Sequence, residues 1–269
     1  MQQPLLYVFG TGNATVTKCY NTCFAIRTGD EYFMVDAGGG NGILPILEQM
    51  QVPIHHIHHI FVSHEHTDHI LGIVWMIRMI ATAIKKGTYS GDLYIYCHDT
   101  LPETIQTLCR LTIQGKFYRL LGERIHLIPV ADGEQCRILD LDLTFFDIHS
   151  TKARQFGFTA KLPNHHTLCF AGDEPLTEFC LDAARNCDWM LHEAFCLYHD
   201  REEFKPYEKH HSTVKEACEL AETLKIKNLV LWHTEDRTFP NRKEAYTKEG
   251  SAYYSGTLFV PNDKEILAL

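Results

Sequence analysis

The sequence lacks the cysteine pairs and the basic excess that would each indicate a particular class of protein. None of its ten cysteines forms a CxxC pair, which excludes a zinc ribbon and a thioredoxin motif. Acidic residues outnumber basic ones by 34 to 25, for a formal net charge of −9. An overall basic surface for nucleic acid is therefore excluded, although a local basic patch is compatible with this balance.

Signals for secretion and for membrane insertion are also missing. The opening residues MQQPLLYVFG contain neither the basic region nor the long apolar core of a signal peptide. The most apolar segment, 70–84, is interrupted by Arg78 and is shorter than the ~20 residues of a membrane span. The cysteines are scattered within apolar stretches, where they behave as small hydrophobic side chains. We expect a soluble protein of the reducing cytoplasm with no membrane partner.

The chain does have the composition of a folded protein with layered sheets. Of its 269 residues, 45% are hydrophobic and 22% are charged, which excludes global disorder. No linker or repeat divides it, so we predict one domain over residues 1–269. Short β-rich runs alternate with helical patterns in the second half, which predicts sheets with helices outside. Helices are predicted over His69–Lys86 and Pro175–Arg185, and another begins at Thr213, where Glu216 completes a capping box.

The chain contains 17 histidines, and the spacing of a few of them locates the chemistry. An apolar run at 61–63 ends in His64, His66, Asp68 and His69, and an apolar helix follows at once. Four metal-binding side chains can converge from so short a strand-to-helix turn. Imidazole and carboxylate together suit zinc, manganese or iron. The alternative is a histidine-rich polar loop, but the HxHxDH spacing favours a metal site.

HxHxDH is the signature of the metallo-β-lactamase superfamily, which this sequence resembles. The resemblance implies an α/β (α+β) fold, the αββα four-layer sandwich. It also implies three further ligands after β-rich runs, namely His149 in FDIHS, Asp173 in FAGD and His233 in LVLWH. By this resemblance, one ion is held by His64, His66 and His149, a second by Asp68, His69 and His233, and Asp173 bridges the two. Two such ions generate hydroxide from a bridging water, which Asp68 would orient or deprotonate.

Within the superfamily the sequence is most similar to ribonuclease Z, the tRNA 3′-end endonuclease. LHEAF at 191–195 resembles its HEAT box, and HHST at 210–213 resembles its HST box. FGTG at 9–12 and FGF at 156–158 are further local matches.

The two boxes imply a catalytic pair. Glu193 would keep His211 protonated, and His211 would contact a phosphate oxygen or protonate the leaving alkoxide. The alternative is that His211 only belongs to a helix cap and that Glu193 is a surface carboxylate.

The parts of ribonuclease Z that handle tRNA are altered or missing. The loop that reads the tRNA 3′ end keeps Lys18 and Asn21 but lacks the proline and the arginine of that family. An interval of only 24 residues separates His149 from Asp173, which is too short for the tRNA-gripping arm. We therefore predict a binuclear metal-dependent phosphodiesterase whose substrate is an RNA 3′ end or, in better agreement with the missing arm, a small or cyclic nucleotide.

Several alternatives are compatible with the sequence. We expect two divalent ions, with zinc favoured, although manganese and iron accept the same donor set. A hydrolase of lactones, esters or thioesters is the main rival, and the pair of Glu193 and His211 argues against it. A non-catalytic metal-binding scaffold is a further alternative. Dimers are common among ribonuclease Z relatives, so a homodimer is compatible with the resemblance.

Overall fold

Two seven-stranded sheets form the centre of the computed structural model, which describes residues 3–269. In spatial order, the first sheet contains β14 (Ile266–Ala268), β1 (Leu5–Gly10), β2 (Cys23–Thr28), β3 (Glu31–Val35), β4 (His59–Val62), β5 (Leu93–His98) and β6 (Ile125–Val130). The second contains β13 (Thr257–Phe259), β12 (Asn228–Trp232), β11 (Trp189–Glu193), β10 (Thr167–Phe170), β9 (Phe156–Lys161), β8 (Leu141–Asp147) and β7 (Gln135–Ile138).

Each sheet is antiparallel on one side and parallel on the other. Strands β14, β1, β2 and β3 pair antiparallel, and β3 to β6 pair parallel. In the second sheet, β7 to β10 are antiparallel and β10 to β13 are parallel. Parallel neighbours require crossover connections, and helices supply them. The parallel parts therefore place the ends of several strands beside helix starts.

Helices cover the outer face of each sheet. They are α1 (Ile43–Gln49), α2 (Thr67–Lys86), α3 (Leu101–Thr112) and α4 (Gly115–Tyr118) in the first half, and α5 (Leu181–Ala184), α6 (Arg201–Phe204), α7 (Val214–Thr223) and α8 (Arg242–Gly250) in the second. The core between the sheets is rich in aromatic side chains, among them Phe61, Phe145, Phe158 and Trp232. Separate apolar clusters fill the space between each sheet and its helices. This layering confirms the predicted αββα sandwich.

Helix α2 is the longest helix and packs closely on the first sheet. By length and composition it could span a bilayer, but 56% of its apolar window is buried inside the protein, as in the core helix of a soluble fold. A Cβ atom at Gly72 would overlap the carbonyl oxygen of Ala37, and the Gly72 amide donates to Gly38 at 2.8 Å. This close approach fixes the N-terminal part of α2 against the residues that follow β3.

Some predicted elements differ from the structure. The helix expected over Pro175–Arg185 is wrong, because only Leu181–Ala184 is helical. The hydroxyl of Thr177 instead donates to the carbonyl of Ile148 at 3.2 Å, which ties the preceding loop to the end of β8. The helix at Thr213 forms as α7 with both halves of its capping box, Thr213 and Glu216.

Candidate metal centre

Most of the predicted ligands come together where strands from both sheets end. Those strand ends, and the first turn of α2, supply these residues: His64 and His66 after β4, Asp68 and His69 in α2, Asp173 after β10, and His233 after β12. Strand ends hold side chains more rigidly than surface loops do. Both sheets thus contribute to a single polar centre.

The side chains form two groups that share Asp173. One group consists of Asp68, His69, Asp173 and His233, and the other of His64, His66 and Asp173, with the ligand atoms of each group within 4.8 Å of one another. Asp173 Oδ2 lies 3.5 Å from Nε2 of His69 and of His233, and 3.6 Å from Nε2 of His64. A single carboxylate oxygen thus faces three imidazoles.

Outward hydrogen bonds orient these imidazoles. His69 Nδ1 lies 2.8 Å from the carboxylate of Asp36, whose other contacts are the amide and the hydroxyl of Ser63 at 2.8 and 2.7 Å. A proton on His69 Nδ1 leaves the lone pair of Nε2 for the centre, and this buried atom has no hydrogen-bond partner among residues 3–269. The Nδ1 atoms of His64 and His233 likewise face Ser63 Oγ at 2.9 Å and Thr22 Oγ1 at 3.3 Å.

The protonation states of the carboxylates and of His64 and His233 suit a cation, whereas His69 must give up a proton to bind one. Burial lowers the pKa of His233 to about 4 and that of His64 well below its usual range. Burial acts downward on His69 too, but the nearby carboxylates, Asp68 first, raise its pKa well above the usual value. Desolvation of Asp173 is outweighed by the imidazoles, which hold its pKa well below the ordinary range. Ionised carboxylates beside inward-facing imidazole nitrogens are the donors that zinc and its neighbours prefer, so these residues fit the implied ions.

His149 is not brought to either group. Its side chain is exposed, and its ring packs on Phe179 with the centroids 5.0 Å apart. The buried side chain that reaches His64 from this part of the chain is Gln155, whose Nε2 lies 2.8 Å from His64 Nδ1. The role of His149 as a ligand therefore stays a prediction.

Glu193 and His211 lie beside the centre. The ring of His211 is 5.2 Å from that of His233 and stacks on Phe195 at 5.0 Å and 10°. Its Nδ1 lies 3.5 Å from Oε2 of the fully buried Glu193, an ion-pair contact without hydrogen-bond geometry. The other oxygen of Glu193 accepts from the Ser212 amide at 2.6 Å. The structure thus brings the predicted pair together, and Glu193 is not a surface carboxylate.

A cavity of about 580 Å³ opens onto the centre. Lys152 and Lys209 line it, together with the ring of Phe195. A hydrogen bond of 2.8 Å between Thr151 Oγ1 and His210 Nδ1 joins the two loops that carry these lysines. Two lysines, an aromatic ring and the carboxylate of Glu65 therefore line the cavity that contains the ligand cluster.

Three residues of the centre were not singled out from the sequence. Asp36 follows the buried strand β3 and precedes a glycine turn, which is a signal comparable to that of Asp173. Ser63 and Gln155 carry no sequence signal of their own, because a hydroxyl and an amide next to histidines are common in folded proteins.

The fold and the centre define the class of this protein as a metallo-β-lactamase-fold, metal-dependent hydrolase. Residues 5–252 match the family described as anti-Pycsar protein Apyc1, and the chain belongs to that family.

Individual relatives support the class. The chain is 24% identical to ribonuclease Z of Porphyromonas gingivalis, over 86% of this chain and 89% of the relative. Its fold is similar to that of the metallo-β-lactamase fold protein YhfI from Bacillus subtilis, with a TM-score of 0.80, 17% identity and coverage of 99% of both chains. The short form of human tRNase Z has a TM-score of 0.75 at 19% identity, with 98% of both chains covered. The predicted resemblance to ribonuclease Z is confirmed.

Proposed function

We propose that this protein is a metal-dependent phosphodiesterase that cleaves a small or cyclic nucleotide. The observation that carries the proposal is the position of His211 beside His233, with the buried Glu193 behind it. An imidazole held in this position can donate a hydrogen bond to a phosphate oxygen or a proton to a leaving alkoxide. Hydrolysis of a carbonyl ester does not need such a donor.

The residues that would hold the ions are those of the two groups. His64, His66 and Asp173 would hold one ion, for which His149 stays the predicted further ligand, and Asp68, His69, His233 and Asp173 would hold the other. Zinc is the favoured metal because imidazole predominates in the donor set. When bound, a pair of such ions lowers the pKa of water and stabilises negative charge on a phosphoryl group. Asp68, which lines the cavity, is positioned to orient the attacking water or accept its proton.

The cavity favours a small substrate. Its volume of about 580 Å³ lies in the range of pockets for small ligands, ~300–1,000 Å³. Lys209 lies over the ring of Phe195 and supplies positive charge for a phosphate, whereas Lys152 is paired with Glu174 at 3.4 Å. The interval between His149 and Asp173 forms a loop and the β9–β10 hairpin, with no protruding arm for a large RNA.

The name of the family adds a biological role to the proposed chemistry. By its membership, we propose that the chain acts as an anti-Pycsar protein and that phosphodiester hydrolysis is how it does so. An RNA 3′ end is the second candidate substrate, favoured by the similarity to ribonuclease Z.

The test is an activity panel on the zinc- and manganese-loaded protein and its His211→Ala variant. The substrates are bis-p-nitrophenyl phosphate, cyclic mononucleotides, a precursor tRNA and a lactone. We expect turnover of cyclic nucleotides above that of precursor tRNA, and a loss of about 10²–10⁴-fold in kcat in His211→Ala, since a positioned acid contributes this much. His55→Ala, an exposed histidine away from the cavity, is the matched control and should keep wild-type turnover.

Other outcomes would favour the rivals. Lactone turnover alone, surviving in His211→Ala, would contradict the phosphodiesterase proposal. Fewer than two ions per chain together with no turnover in excess metal would favour a scaffold.

We also propose that the protein acts in the cytoplasm as a homodimer. All ten cysteines are free thiols, which suits a reducing compartment. Light scattering of the purified protein tests the dimer, and a monomer at micromolar concentration would contradict it.

A further inference from the structure

Glu65 is a carboxylate of the cavity that the proposed chemistry does not use. It lies between β4 and the start of α2, and its side chain is 40% exposed. It lines the cavity beside the candidate ligands but belongs to neither ligand group. A negative charge at this place opposes the binding of anions, so it acts on which phosphate compounds the cavity accepts.

A fully buried histidine, His98, contacts Glu65 from inside the protein. His98 ends β5, and its Nδ1 lies 3.0 Å from the hydroxyl of Thr100. Its Nε2 lies 3.6 Å from Oε2 of Glu65 and has no hydrogen-bond partner among residues 3–269. When Thr100 donates to Nδ1, the proton of the neutral ring lies on Nε2, the atom nearest to Glu65. The only ion-pair contact of Glu65 within the described residues thus ties this carboxylate to the wall of the cavity.

Little other free charge lines the cavity outside the ligand groups. Lys152 is paired with Glu174 at 3.4 Å, whereas Lys209 lies 4.6 Å over the ring of Phe195 and has no carboxylate partner in the described part of the chain. One unpaired cation and one carboxylate therefore face a ligand. Lys209 can balance the single charge of a phosphodiester. A phosphomonoester has nearly two negative charges above pH 7, and the second charge would meet Glu65.

We infer that Glu65 is a specificity-determining residue that disfavours dianionic phosphomonoesters relative to monoanionic phosphodiesters in the cavity. The same repulsion would promote release of the monoester that hydrolysis of a diester produces. This inference rests on the proposed function only in requiring that the cavity binds a phosphate group.

Binding calorimetry at pH 8 tests the inference without turnover. The ligands are adenosine 5′-monophosphate, a dianion, and its methyl ester, a monoanion. The zinc-loaded proteins are the wild type, Glu65→Gln and the control Glu123→Gln, an exposed glutamate outside the cavity. A charge about 7 Å away, at an effective dielectric constant of about 40–80, changes affinity about 3–7-fold per unit of ligand charge. Glu65→Gln should therefore bind the monophosphate about 7–50-fold more tightly and the methyl ester only about 3–7-fold more tightly. Glu123→Gln should bind both ligands as the wild type does.

Three results would overturn the inference. Equal factors for the two ligands would show that Glu65 does not discriminate by charge. Weaker binding of both ligands by Glu65→Gln would show that the carboxylate accepts hydrogen bonds from the nucleoside. A lower zinc content of Glu65→Gln, measured by mass spectrometry, would assign Glu65 to the metal centre. The expected difference between the ligands, found in a protein without phosphodiester turnover, would refute the proposed function and leave this inference standing.

Discussion

Replacement of Asp36 by asparagine tests how His69 is oriented in the ligand group that it forms with Asp68 and His233. The Asp36 carboxylate accepts from the Ser63 amide, from the Ser63 hydroxyl and from His69 Nδ1, all at 2.7–2.8 Å. An asparagine in the same place can still accept from the Ser63 amide through Oδ1. Its NH₂ group, however, then faces the N–H of His69, donor against donor. The proton of His69 must move to Nε2, the atom that faces Asp173.

The expected loss follows from these contacts. In Asp36→Asn, zinc affinity at the site of His69 should fall about 10–100-fold, or ~1.4–2.7 kcal/mol, as for other outer-shell carboxylates. The metal-free protein loses a hydrogen bond to a charged group, worth about 1.5–3 kcal/mol. Chelator competition and mass spectrometry of bound zinc measure the first effect, and urea unfolding in excess chelator measures the second.

Asp182→Asn makes the same chemical change at a side chain that is 93% exposed, and its stability should stay within about 0.5 kcal/mol of the wild type. An Asp36→Asn protein that binds both ions with wild-type affinity would show that Asp36 does not set the orientation of His69.

Two further predictions concern stability. Gly172→Ala should lower the free energy of unfolding in urea by about 1–3 kcal/mol, because Gly172 has a positive φ and Gln155 crowds its Cβ position. Gly115→Ala, which has open space around it, is the control and should not destabilise the fold. Equal stabilities of the two variants would contradict this prediction. Burial lowers the pKa of His59 to about 4 from 6.5. The unfolded chain therefore takes up this proton first, and stability falls as the pH drops from about 6.5 to 4. His59→Gln should flatten the change in unfolding free energy between pH 7.5 and 5, and an unchanged slope would refute this assignment.

The sequence predicted the features that depend on local pattern. The HxHxDH segment has its ligands within six residues, so a strand-to-helix turn suffices to bring four of them together. Helix α7 has a capping box and an apolar stripe, and it forms as predicted. Asp173 and His233 were located because each follows a strand.

Features that depend on contacts between distant segments could not be predicted. Strand β14 was missed because it pairs with β1, more than 250 residues away in the chain, and has few residues of its own. The Pro175–Arg185 pattern was overridden by the bond of Thr177 to the end of β8. The sequence predicts that His149 reaches the centre, whereas the structure places the side chain of Gln155 there. The composition of the loop between them does not determine which of these two side chains points inward.

Each sheet is built almost entirely from one half of the chain, and this affects how the metal centre forms. Residues 5–130 build the first sheet and residues 135–259 the second, and among the strands described β14 alone returns from one half to the other. Candidate ligands come from both halves, since His64 and His69 lie in the first and Asp173 and His233 in the second. A complete set of donors exists only after the two halves have docked. Ions that bind there stabilise the junction between the halves by mass action, so the metal content of the cell would set how tightly this enzyme stays assembled.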